Sequence, residues 1–177
     1  YDVNCPVGGD FDGYKEKLKK AVALLNLGNG YLCSSVLLNN TKQDKTPYVL
    51  TANHCLQNSD PDLWSLRFNW ISPNPVCGEA EPSADINTNF TMNGAELRGF
   101  HERSDFALVE LREAIPDSWD VVFAGWDRSD ELPEFQAGIH HPKGDLMKIS
   151  MDLDPAAHEF ANGTDVWLIK GQAVGNG

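Results

Sequence analysis

Two residues in this chain have the types and spacing to move a proton: His54 and Asp105. His54 comes near the end of Tyr48-Val-Leu-Thr-Ala-Asn-His-Cys55, and Asp105 near the start of Ser104-Asp-Phe-Ala-Leu-Val-Glu-Leu111. A hydroxyl nucleophile needs a base, and the base needs a carboxylate to fix its tautomer and stabilise its charged form. We read His54 as that base and Asp105 as that carboxylate. Singly, each has an ordinary explanation, as a surface histidine and as a turn residue before a strand. Together, in this order and some 50 residues apart, they fit a serine-dependent acyl transfer. The nucleophile should sit in a glycine-rich turn whose N–H groups cradle an oxyanion. No serine in the chain has a glycine neighbour, and neither G-x-S-x-G nor G-D-S-G occurs.

The elements that must position these groups read as short strands. Residues 48–51 are apolar or β-branched, and small Ala52 leaves room for the turn to His54. Residues 31–38 form a strand after the turn signal Gly28-Asn-Gly30. The stretch before it is open to two readings. Residues 15–25 hold helix formers near helical spacing, yet 21–27 could be the first arm of a hairpin. Residues 1–13 read as an extended arm or loop and 72–83 as a proline-rich loop. Further strands are expected at 63–71, 94–100, 105–111, 121–125, 135–140, 146–151 and 166–169. Many short strands at this spacing indicate an all-β barrel or sandwich.

Composition narrows the function. A formal charge of −12 argues against nucleic acid, whose phosphates require Lys and Arg. The acidic surface confers solubility and would steer basic peptides towards it. No apolar run approaches the roughly 18 residues of a spanning helix, so no membrane partner is expected. The chain starts at Tyr1 without a signal peptide, which reads as a mature or trimmed product. Four cysteines, Cys5, Cys33, Cys55 and Cys77, lack CxxC spacing, so zinc is disfavoured and two disulfides are expected. Three connectivities exist. Cys33–Cys55 is favoured because it would join the strands around His54, leaving Cys5–Cys77.

Other candidates give way to simpler readings. His140 and His141 are adjacent on a strand, so their side chains diverge and do not suit one metal ion. Asp127, Asp130 and Glu131 lack the spaced oxygen ligands of a calcium loop. Asn39, Asn89 and Asn162 open N-x-[ST] sequences that are common by chance. No metal and no cofactor is expected.

The stretches Cys33-Ser-Ser-Val-Leu-Leu-Asn-Asn-Thr41, Pro47-Tyr-Val-Leu-Thr-Ala-Asn-His-Cys55, Ser104-Asp-Phe-Ala-Leu-Val-Glu-Leu111, Gly125-Trp-Asp127 and Ile139-His-His-Pro-Lys-Gly-Asp145 resemble the bacterial secreted lysyl endopeptidase branch of the trypsin-like serine proteases. The resemblance implies a chymotrypsin-like double β-barrel, its second barrel incomplete in this chain. It divides the chain into 1–112, the barrel with His54 and Asp105, and 113–177, a connector and the first part of the second barrel. It implies a hairpin at 21–38, the disulfides Cys33–Cys55 and Cys5–Cys77, and Trp167 near the substrate pocket. It further implies a secreted endopeptidase cleaving after Lys or Arg, acting as a monomer on peptides or proteins. The family's nucleophile turn, resembling G-G-S-S-G-S-P, is expected beyond Gly177, so the chain alone should be inactive. The rival expectation is a non-catalytic homologue that binds peptides. A metal-dependent hydrolase built on His140 or His141 is a remote third.

Overall fold

Short runs of apolar and β-branched residues are scattered along the chain, and the described residues form eleven strands. The computed structural model describes residues 1–8, 11–77, 83, 85–161 and 163–169. After helix α1 (Phe11–Leu18) come β1 (Val22–Asn26), β2 (Leu32–Leu38), β3 (Tyr48–Ala52), β4 (Ser65–Phe68), β5 (Phe90–Asn93), β6 (Ala95–His101) and β7 (Phe106–Leu111). These seven strands make one antiparallel sheet in the order β5-β4-β1-β2-β3-β7-β6. It is curled like a barrel wall, as the expected all-β, chymotrypsin-like architecture requires. The remaining strands form two hairpins, β8 (Gln136–His140) with β9 (Lys148–Asp152), and β10 (Ala157–Ala161) with β11 (Thr164–Leu168). Among the described residues, no helix is long and apolar enough to cross a membrane.

The two readings of residues 14–27 are both partly right. The first half is helix and the second half is β1, paired with β2 across the Gly28–Gly30 turn. Lys15 explains the division. It is buried at the helix, where its ammonium donates to the Cys5 carbonyl and the Asp12 carboxylate. From Val22 onward, apolar residues face both ways, as a central strand demands. The expected arm or loop of residues 1–13 gives way to α1 at Phe11.

Two corrections follow from what covers the sheet. Residues 121–125 are not a strand. They run beside the end of β2 with a single bridge, Leu38 to Ala124, while Val121 and Phe123 pack on the core. Conversely, β5 and β10 were missed, because each is short and half of its side chains are exposed.

Two apolar clusters hold the structure. The larger fills the concave side of the sheet with Leu25, Leu37, Val49, Trp64, Leu66, Phe68 and Val109, all at most 2% exposed. Burial on this scale contributes about 2 kcal/mol per side chain. The second joins the sheet to the later strands: Val22 and Ile71 meet Met147 and Ile149, with Val3 of the N-terminal segment between them. Residues 1–3 run along β9, where Val3 N–H donates to the Met147 carbonyl and Ile149 N–H to the Tyr1 carbonyl. The Asp2 carboxylate is buried in this seam and accepts from Lys148 Nζ, Ser83 Oγ and Val76 N–H. Burial pushes that carboxyl up, but these donors outweigh it and hold it below the usual range.

Candidate functional site

The register of β3 on β7 creates the site. Ala52 pairs with Phe106 and Thr51 with Ala107, so the residues just past Ala52 meet those just before Phe106. The chain leaves β3 in a tight 3-10 turn, Asn53–Leu56, which carries His54. It enters β7 through Asp105, whose φ of +49° is left-handed. Few residue types tolerate that region, and Asp is among those enriched there. The bend turns Asp105 back on the Asn53–His54 turn with three bonds, two of them to His54. Asn53 N–H donates to the Asp105 carbonyl at 3.0 Å, and His54 N–H donates to Oδ1 at 2.8 Å. The imidazole Nδ1 lies 2.7 Å from Oδ2.

These contacts set the protonation pattern. The His54 ring first, and its backbone N–H next, hold the Asp105 carboxyl below the ordinary carboxylate range despite some desolvation. An ionised carboxylate only accepts, so Nδ1 carries the proton and donates. In the neutral form of the ring the lone pair then lies on Nε2, on a side chain 64% exposed. A base in this state can take a proton from an incoming hydroxyl.

The turn is braced from below. Cys33–Cys55 links the residue after His54 to β2, with Cα atoms 6.6 Å apart, and Cys5–Cys77 ties the N-terminal segment to the 72–77 loop. Both expected pairings are present. Ser59 Oγ donates to the Cys55 carbonyl at 2.6 Å and accepts from the indole N–H of fully buried Trp64 at 3.1 Å. Other hydroxyls are similarly occupied: Ser35 Oγ donates to the Ala23 carbonyl, and Ser34 Oγ accepts from His141 N–H. Among the described residues, no serine hydroxyl is hydrogen-bonded to the His54 ring. Cys33, His54 and Cys55 bring three ligand-type atoms within 4.8 Å of one another. Both sulfurs are already bonded in the disulfide, so the group does not suit a metal ion.

A hollow of about 600 Å³ opens beside the His54–Asp105 pair. Leu56, Pro61, Leu97 and Phe100 give it apolar walls, and Gln57 and Glu102 a polar edge. The sequence reading did not single these residues out. Their nearness in sequence to His54 and Asp105 was the available signal. Trp167 does not line this hollow. It sits half-exposed on β11, edge-on to His158 at 5.6 Å, over a separate hollow of about 380 Å³ with Asp130 and Asp165. The turn of its hairpin meets the side chain of Arg103: a Cβ built on Gly163 would lie 3.5 Å from that guanidinium.

His140 and His141 do not share one strand. β8 ends at His140, and His141 opens the following turn. His141 is buried, with Nδ1 donating to the Asp145 carbonyl at 2.9 Å. Burial pushes its pKa down to about 4. Asn162 of the third N-x-[ST] sequence and residues 78–82 of the expected loop lie outside the described residues.

An all-β sheet with a carboxylate-held histidine at the ends of two paired strands defines a recognisable class of barrel protein. The family model "Lysyl endopeptidase, C-terminal domain" matches residues 1–175, and the chain belongs to that family. A lysyl endopeptidase of Pseudomonas aeruginosa is 30% identical over 128 residues, which cover 70% of this chain. The match spans only 26% of that protein's own length.

Proposed function

We propose that this chain supplies the general base and orienting carboxylate of a secreted, trypsin-like serine endopeptidase. The observation that supports this best is the double hold of Asp105 on His54, which orients the ring and leaves Nε2 facing away from the carboxylate on an exposed side chain. The nucleophilic serine comes from outside residues 1–177. As it attacks a peptide carbonyl, its proton passes to His54 Nε2, and Asp105 stabilises the imidazolium that forms. His54 then protonates the departing amine. Water, deprotonated by the same ring, releases the acyl group. The hollow lined by Leu56, Leu97 and Phe100 receives substrate residues flanking the scissile bond.

Cleavage after Lys is the preference that the family and the Pseudomonas relative suggest, and Arg is the alternative we carry with it. Trp167 is proposed to contact substrate from the β10–β11 hairpin. Two disulfides suit an oxidising, extracellular setting. The expected partners are peptides and proteins, met by a monomeric enzyme.

Intact mass of the native protein, before and after a fluorophosphonate probe, tests the reading. One adduct is expected, on a protein larger than the 19.6 kDa of this chain or on a co-purifying chain. The adduct should disappear in His54→Ala. A mass equal to this chain with no adduct would refute catalysis and leave a peptide-binding homologue.

A further inference from the structure

A lysine-directed endopeptidase endangers its own lysines. Several are out of reach: the side chains of Lys15, Lys19 and Lys148 are 3%, 13% and 14% exposed. Lys17 lies within α1, and Lys20 lies in a 3-10 turn with its ammonium on Asp120. Among the described residues, that leaves the loop lysines Lys42, Lys45 and Lys143.

All three share a backbone feature. Lys45 has φ +59° and Lys143 +54°, and Gln43, which follows Lys42, has +53°. Side chains of this type seldom adopt that region. A protein segment that binds by adding a strand must be extended. A left-handed residue at or next to the cleaved bond bends the chain away from that shape.

The restraint differs between the two loops. Lys143 lies in a turn packed against β2, where Leu32 occupies the space a Cβ on Gly144 would need. Residues 41–45, by contrast, are exposed throughout, and side-chain hydrogen bonds hold them. Asp44 Oδ1 accepts from Asn40 Nδ2 at 2.7 Å, from Thr46 N–H at 3.0 Å and from Thr46 Oγ at 2.6 Å. Asn40 Oδ1 accepts from Lys42 N–H at 2.9 Å, and the Asn40 carbonyl from Gln43 N–H at 3.1 Å. Lys45 Nζ reaches Asp117 Oδ1 at 2.7 Å, so the loop is tethered at that end too.

We propose that residues 40–47 are a latent self-cleavage site, with Lys42–Gln43 and Lys45–Thr46 as its bonds, kept closed by the Asp44 hydrogen-bond knot. The inference rests on the lysine preference proposed above. Cleavage is plain hydrolysis: water adds across the peptide C–N bond, leaving a carboxylate on the lysine and an amine on the next residue. The nick would fall between β2 and β3, which stay paired. Cys33 lies before it and Cys55 after it, so the disulfide would keep the pieces covalently joined until reduced.

The test uses the full-length protein, first blocked with fluorophosphonate and then exposed to an added protease of known lysine specificity. Fragments are read by mass with and without reductant. Asp44→Ala should be cut after Lys42 or Lys45 about tenfold faster than the parent, as expected for loss of hydrogen bonds to a charged group. The fragments should separate only on reduction. Equal rates in parent and variant would overturn the proposal. So would cuts in the variant at buried Lys15 or Lys148, which would report global unfolding. Asn40→Ala provides an independent loosening and should act in the same direction. Unblocked Asp44→Ala, incubated alone, should generate the same fragments. If only the added protease cuts, self-cleavage is overturned while the knot's protection stands, and the lysine preference is the part that failed.

Discussion

Two histidines follow two strands of this molecule, and each enters a tight turn. His54, after β3, stands 64% exposed with its Nδ1 on a carboxylate. His141, after β8, is 4% exposed with its Nδ1 on a backbone carbonyl and its Nε2 buried without a partner. The contrast separates two uses of an imidazole. A carboxylate partner on an exposed ring fixes the orientation of the imidazole and leaves Nε2 open to an incoming group. Burial with a neutral partner makes a ring that must stay uncharged for the fold to hold. Residue type is the same, and the surroundings decide the role.

Breaking the exposed side of this comparison should have the largest effect. In the full-length enzyme, Asp105→Asn should lower kcat by about 10⁴-fold, because the ring loses its tautomer control. Its thermal midpoint should move little, since both side chains are largely solvent-exposed. Parallel rate and melting measurements check this, and a large stability loss would mean Asp105 is mainly structural.

Next in size is the seam that buries His141's half of the molecule. Lys148→Met leaves the Asp2 carboxylate buried without its cation. Removing one partner of such a pair costs about 3–5 kcal/mol. Denaturant unfolding should show it, and an unchanged midpoint would place the ion pair outside the cooperative unit.

The buried histidine itself makes stability depend on pH. Its folded pKa is depressed to about 4 from an ordinary 6.5, chiefly by burial, so the unfolded chain binds more protons between those values. His141 therefore contributes stability that is present above pH 6.5 and lost as pH falls towards 4, by about 3 kcal/mol in all. Beside it, His140 acts in the same direction, while the Asp145 carbonyl and carboxylate oppose it. His141→Asn keeps a donor for the Asp145 carbonyl and cannot titrate. Its unfolding free energy should be flatter over this window, and an unchanged slope would assign the pH dependence elsewhere.

The smallest expected effect returns to the first histidine. Asp105 has a lowered pKa, so its contribution is present above the ordinary carboxylate range and fades as pH drops through the folded value. At 48% exposure, solvent screens most of it. Comparing parent and Asp105→Asn below pH 4 should reveal only a slight difference in unfolding.

Local pattern made much of this legible. Residues 48–51 and 105–111 have the composition of strands, and they are β3 and β7 within a residue at either end. The disulfide Cys33–Cys55 is expected because it would join the strands around His54, and the fold closes it. Elements governed by distant contacts were less legible. Residues 14–27 carried helix and strand signals because they contain both, and only the burial of Lys15 and the two-sided packing of β1 set the division. Residues 121–125 resembled a strand because Val121 and Phe123 are apolar, yet those side chains cap the core without a ladder.

By itself the sequence determined the all-β character, the strands that end near His54 and Asp105, and the cysteines available to brace them. These follow from side-chain size and polarity repeated over a few residues. Tertiary structure alone decided that Ala52 lies opposite Phe106, that Asp105 bends left-handed onto His54, and that His141, at the start of the turn Pro142–Gly144, is buried. Each of these depends on which distant segments pack together, and that choice minimises the exposed apolar surface of the whole chain rather than of any one stretch.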